Sequence, residues 1–219
     1  MTYDEFEHRA REAGLILLGG FEPEPGFAPE VVPAGTGTIL LLGPDEPSFW
    51  DVFTNGTEYM DGRPDPLNRW SERVLGQLAE LFGATPLYPF GGPPWVPFMR
   101  LAEEAGGLYT SPVGLMVHPE AGLWASFRGA LALPMHVELP EPAPSPCPTC
   151  EGQPCRTACP VDALTDQGYD VPACQAYVRS PEGEHCRTRG CAVRRACPVS
   201  KAWGRPDAQA AFHMEAFLR

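Results

Sequence analysis

All eight cysteines of this chain lie between positions 147 and 197, and the 146 residues before them hold none. The first four crowd into CPTCEGQPCRTACP (147–160), spaced Cys147-x2-Cys150-x4-Cys155-x3-Cys159-Pro. The rest follow as Cys174-x11-Cys186-x4-Cys191-x5-Cys197-Pro. A cubane iron–sulfur cluster needs four thiolates at the corners of a compact tetrahedron. Short spacings let one loop curl around it and supply three of them. In two-cluster ferredoxins the cysteine before proline ligates the other cluster. Two Cys-Pro units and eight thiols therefore fit two [4Fe–4S] clusters with crossed ligation. Cys147, Cys150, Cys155 and Cys197 would hold one, and Cys159, Cys174, Cys186 and Cys191 the other.

Three alternatives stay open on the residues alone. Zinc favours paired C-x2-C knuckles, and only Cys147/Cys150 has that spacing. Disulfides need an oxidising compartment, whereas the start, MTYDEFEHRAREAG, is charged and helix-like rather than a signal sequence. The wider x4 and x5 gaps also allow a degenerate site with one cluster or none. Arg156, Arg187, Arg189, Arg194 and Arg195 stand among the cysteines, either to offset thiolate charge or as a solvated surface. The five histidines (8, 118, 136, 185, 213) are scattered, with His185 beside Cys186.

Charge divides the chain where the cysteines do. Residues 1–146 carry seven arginines and no lysine against 20 Asp and Glu, while residues 147–219 are close to neutral. An acidic body is ill suited to nucleic acid, whose only foothold would be RTRGCAVRRAC. The apolar runs GLILLGG and TILLLG are too short to span a bilayer, so a cytoplasmic protein is expected.

The periodicity predicts a mixed body over residues 1–140 and a small module over 141–219, joined through the proline-rich PEPAPSP. A helix is expected over 3–13 with Phe6 and Ala10 inward, then a strand at LILLGG after Gly14. GTILLLG (37–43) reads as a strand buried on both faces. Trp70, Val74, Leu75, Leu78, Leu81 and Phe82 recur at helical spacing up to Gly83. LFGATPLYPFGGPPWVPF reads as either a pocket-lining loop or a stiff connection. PFMRLAEEAGG reads as a short helix, SPVGLMVHP and GLWASFRGALAL as extended segments, and PDAQAAFHMEAFLR as a closing helix.

The segment AEEAGGLYTSPVGLMVHPEAGLWASFRGALAL leads into CPVDAL and then ACQAYV, where Cys174 stands alone in a Cys-x-x-Tyr context; YMDGRPDP lies upstream. This order of parts resembles the epoxyqueuosine reductase family and its relatives, the iron–sulfur corrinoid reductases. The resemblance implies a nitroreductase-like α/β body followed by a bacterial-ferredoxin-like dicluster module. It implies two [4Fe–4S] clusters that pass electrons to a cobalamin in the body, which reduces a substrate. It also implies an electron-donor protein such as a ferredoxin, flavodoxin or reductase. No Asp or Glu lies between Glu80 and Glu103, where the family carries its acidic proton donor, so no catalytic residue is assigned. Tyr88 and Tyr109 are the nearby hydroxyls. The expected function is an iron–sulfur oxidoreductase serving a corrinoid or a small substrate. The alternative is a ferredoxin-type carrier whose body docks a partner protein, with a zinc-stapled structural module as a third reading.

Overall fold

The computed structural model describes residues 1–165 and 168–219. By contact the chain gathers into two compact units, residues 1–108 with 126–143, and residues 109–125 with 144–219. The segment 109–125, which the sequence places in the body, groups with the cysteine-rich residues.

The first unit mixes helices with a small antiparallel sheet. Helix α1 (Tyr3–Glu12) opens on a capping box, in which Thr2 and Glu5 satisfy each other's backbone N–H groups. Strands β1 (Leu15–Phe21) and β2 (Thr38–Pro44) follow, then α2 (Ser48–Thr54), α3 (Thr57–Met60) and α4 (Pro66–Phe82). Strand β3 (Thr85–Leu87) and helix α5 (Phe98–Glu104) come next. The second unit supplies β4 (Tyr109–Thr110) and β5 (Met116–Val117) before the chain returns to β6 (Gly129–Leu133). The sheet order is β1-β2-β6-β3, with every pairing antiparallel.

Strand β2 is buried along its whole length, as its unbroken apolar run requires. Its neighbours on both sides are antiparallel, so burial on both faces here does not mark a parallel sheet. Helix α4 runs over the predicted residues and stops at Gly83, which takes the left-handed conformation. It buries Trp70, Leu75 and Phe82, but Leu81, expected inward, is exposed at the edge of the apolar stripe in the last turn. Trp70 meets Phe49 edge-on, with ring centroids 5.2 Å apart. Where α4 crosses β6 the residue is Gly129. A Cβ there would strike the Leu75 side chain and lie 2.7 Å from the Leu87 carbonyl oxygen. Strand β3 falls inside the proline-rich stretch read as a loop or connection. It is an edge strand, where a sheet tolerates a residue such as Pro86.

The second unit is built from short pieces. Strands β4 and β5 pair, and a bridge between His118 and Gly122 closes the next turn. A 3₁₀ turn, Pro154–Thr157, precedes the β7 (Leu164–Thr165) and β8 (Gly168–Tyr169) pair. Then come α6 (Val171–Arg179), α7 (Glu184–Arg189), α8 (Ala192–Ala196), α9 (Pro198–Trp203) and α10 (Asp207–Phe217). Segment 109–125 is fixed to α9, because the Leu123 N–H donates to Ser200 Oγ at 2.8 Å. No helix among the described residues is long and apolar enough to cross a membrane.

Candidate metal centres

Cys147 and Cys150 sit on a turn closed by the Cys150 N–H donating to the Cys147 carbonyl at 3.2 Å. Gln153 Nε2 donates to the same carbonyl at 3.3 Å, and Gln153 itself is left-handed, which swings the chain into the 3₁₀ turn carrying Cys155. Cys197 arrives from far along the sequence. It is at once the C-cap of α8 and the N-cap of α9, with ψ 124°. Pro198 causes this break: it has no N–H to continue α8 and forces the residue before it out of the helical region. These four cysteines line one cavity of about 340 Å³. Val117 and Leu123 line it too, as does Ser111.

The other four thiols form a second set. The Cys159 sulfur accepts the Ala163 N–H at 3.2 Å, in the turn that follows Cys159-Pro160. Cys174 stands on α6, a helix capped by Asp170, whose side chain accepts the Ala173 N–H at 2.9 Å. Tyr169 hydrogen-bonds the Cys174 sulfur. Cys186 on α7 is contacted by His185 Nε2 at 3.4 Å, and the Ala192 backbone and Arg195 favour its ionised form. Cys191 caps α8.

The two sets share one apolar cluster. Val193, fully buried, packs with Val113, Val117, Leu123, Leu164, Cys155 and Cys197; Cys147, Cys159 and Cys191 border it. Electrostatics divides the thiols as the geometry does. Burial pushes the Cys147 thiol up, and Cys197 and Cys150 push it further. Cys155 is raised by burial and then by Cys147, Cys197 and Cys150. Cys174 is raised by burial and by Cys191, Cys159 and Cys186, against the lowering effect of the Tyr169 hydrogen bond. Burial raises Cys186 as well, while the Ala192 N–H and Arg195 oppose it. Cys197 thus shares a cavity with Cys147, Cys150 and Cys155, which Cys159, nearer in sequence, does not line; Cys159, Cys174, Cys186 and Cys191 are linked by their mutual effect on ionisation.

All eight cysteines are free of disulfides. Among the described residues no three His, Cys, Asp or Glu side chains converge to hold a single metal ion. A tetrahedral ion bound at about 2.3 Å needs its sulfurs about 3.8 Å apart. In a [4Fe–4S] cluster each thiolate instead takes its own iron. A group of positive metal ions would also remove the cost of ionising thiols that repel one another.

Of the five arginines singled out by sequence, Arg195 acts on the Cys186 thiol and Arg194 on that of Cys191. Arg156 donates to Gln153 at 2.7 Å, Arg187 to the Val178 carbonyl at 2.8 Å and Arg189 to Asp207 at 3.0 Å. Arg194 bonds the Leu123 carbonyl. Sequence reasoning missed Ser111, Val117 and Leu123 as walls of the first cavity, since nothing in cysteine spacing points to a segment 30 residues upstream. Tyr169 was missed as a thiol partner, although its place five residues before Cys174 was a usable signal. Tyr88 donates to the Glu72 carbonyl at 3.2 Å, a packing role in the first unit.

In the first unit a groove of about 540 Å³ is bordered by Arg9, Glu12, Arg73 and Leu81. No histidine or cysteine lines it, so it offers no such ligand to a cobalt. Nearby, Glu58 is buried and bound by Arg73 through two contacts of 2.6 and 3.0 Å, which hold its carboxyl below the usual range. Within YMDGRPDP, Asp61 is held down to about 2 by hydrogen bonds from Arg69 and the Arg63 backbone. These groups are tied up in ion pairs that fasten the 58–69 turn.

No protein-family model, no curated protein and no solved structure matches this chain.

Proposed function

We propose that this protein is an iron–sulfur oxidoreductase that holds two [4Fe–4S] clusters in its cysteine-rich unit. Cys147, Cys150, Cys155 and Cys197 hold the first; Cys159, Cys174, Cys186 and Cys191 hold the second. The observation that carries the reading is that Cys147, Cys150, Cys155 and Cys197 line a single cavity, against an apolar cluster that Cys159 and Cys191 also border. Bound there, such clusters supply one-electron transfer. The chain's own contribution is to exclude water from the sulfurs through Val117, Leu123 and Val193. It also aims N–H and O–H donors at the second set through Ala163, Tyr169, Ala192 and Arg195.

The resemblance extends the proposal to a nitroreductase-like body, a ferredoxin-like module and a corrinoid or small substrate as electron acceptor. No residue of the body is assigned to that acceptor. Anaerobic purification with iron, sulfide and zinc analysis and a visible spectrum tests the proposal. About eight iron and eight sulfide per chain are expected, and corrinoid bands in the same spectrum would identify the acceptor. Stoichiometric zinc without sulfide overturns it.

The second reading, a ferredoxin-type carrier, is favoured by the first unit's groove, whose Arg9, Glu12 and Arg73 suit a charged partner surface. Clusters that reduce stably with no corrinoid bound would select it.

A further inference from the structure

The chain has a single lysine, Lys201. It lines a cavity of about 270 Å³ in the cysteine-rich unit together with Arg189, Arg195, Arg205 and one acid, Asp207. In a chain of net charge −12, four cations gathered against one carboxylate are a concentrated exception. The wall between them is Trp124. The Arg205 guanidinium lies 5.0 Å from its ring centroid and donates to its carbonyl at 3.3 Å, which fixes one cation in place. Arg189 and Asp207 are more than half exposed and meet at 3.0 Å. A pair so exposed to water is weak, and leaves the cavity's excess positive charge to act on whatever approaches.

Arg195 connects this cavity with the second cysteine set. It lines the cavity, its Nε donates to the Gly190 carbonyl at 3.2 Å, and its backbone N–H donates to the Cys191 carbonyl at 3.1 Å. One residue thus belongs both to a solvent-facing basic surface and to the turn that carries Cys191 of the second set.

We propose that this basic cavity is the docking surface for an acidic electron-carrier protein, which exchanges electrons with the group held by Cys159, Cys174, Cys186 and Cys191. The proposal rests on the two-cluster reading. The exchange is one electron: the carrier is oxidised by one unit, the group held by the second set is reduced by one, and no proton or covalent bond changes hands. Charge complementarity chooses the partner. Redox encounters are small and steered by charge, so a compact patch of four cations beside the electron entry point suffices. A nucleic-acid site usually neutralises about six to ten phosphates along a stripe, and the described cavity offers four cations in one place.

The test is calorimetric titration of the anaerobically purified full chain with a small acidic [2Fe–2S] ferredoxin at low and high salt. Affinity falls at least about tenfold as salt is raised. At low salt the exposed double variant Lys201→Glu/Arg189→Glu weakens binding by a similar factor while iron and sulfide content stay unchanged. The salt series on the unaltered chain keeps the test decisive should the variant misfold. Affinity indifferent to both salt and charge reversal, in a sample carrying both clusters, overturns the docking surface alone. Tighter, equally charge-dependent binding of a short RNA duplex also overturns it, by assigning the surface to nucleic acid. A chain that binds the ferredoxin in this charge-dependent way but lacks iron and sulfide overturns the two-cluster reading instead.

Discussion

The two units of this protein bury different things. In the first, Trp70, Phe6, Phe49, Phe53, Leu15 and Leu75 are fully buried, and β2 is covered along all seven residues. Apolar burial at roughly 25 cal/mol per Å² accounts for such a fold without further help. In the second, the shared core is a handful of valines and leucines interleaved with thiols, and α7, α8 and α9 are six, five and six residues long. Helices so short are marginal in water by themselves. One unit is held by its core; the other gathers its loops around thiols, and under the two-cluster proposal its stability is coupled to what those thiols hold.

The hardest strain on that comparison is removal of the metal. Iron chelation is expected to abolish hydrogen-exchange protection across residues 144–219, while β1, β2 and β6 keep theirs. Equal protection in both units after complete iron loss would show that the cysteine-rich unit folds on apolar burial alone.

The next effect is loss of half the iron. Cys155→Ser and Cys197→Ser each are expected to lower iron from about eight to about four per chain, and the double variant to lower it no further. Cys155→Ser with Cys186→Ser should remove nearly all of it. Ligation in simple sequence order predicts instead that Cys155→Ser and Cys197→Ser together empty both sites, while the Cys155/Cys186 pair empties both under either scheme and serves as the control. Iron analysis of four purified variants decides between them.

The same contrast governs what the sequence made legible. The first unit follows apolar periodicity, so α1, β1, β2 and α4 fall where spacing puts them. Leu81 and β3 escape because the last turn of a helix and a proline-bearing edge strand obey weaker rules than a central strand. In the second unit, periodicity has little to act on, and the legible signal is chemical. Cys-Pro at 159 and 197 marked the two turns, and the placing of Cys197 beside Cys147, Cys150 and Cys155 agrees with it. The docking of 109–125 was not legible, because it depends on one hydrogen bond to Ser200 and on apolar walls that look like any other strand. The role of Arg195 was hidden among equivalent arginines.

A smaller perturbation probes the core-held unit. Gly129→Ala places a methyl against Leu75 and the Leu87 carbonyl. Overpacking of this kind costs about 1–3 kcal/mol, and should appear as a lower denaturation midpoint for the sheet with iron content intact. Loss of iron in this variant would mean that metal binding depends on the first unit's core.

The smallest effect belongs to a single turn of the second unit. His118 is buried, and its Nδ1 accepts the N–H groups of Glu120 and Ala121 at 3.2 and 3.3 Å. Burial pushes its pKa down from 6.5 to about 4. Only the neutral ring can accept those bonds, so the folded turn binds its proton later than the unfolded chain does. The stabilisation is therefore complete above 6.5 and is lost as pH falls from there through about 4, reaching about 1 kcal/mol of loss near pH 5.5. Amide exchange at Glu120 and Ala121 should accelerate across that window. In His118→Asn, where a side-chain oxygen can accept the same bonds without titrating, it should stay flat. If both proteins accelerate alike, the turn is held by the Ser200 contact and the His118–Gly122 bridge, and the histidine only fills space.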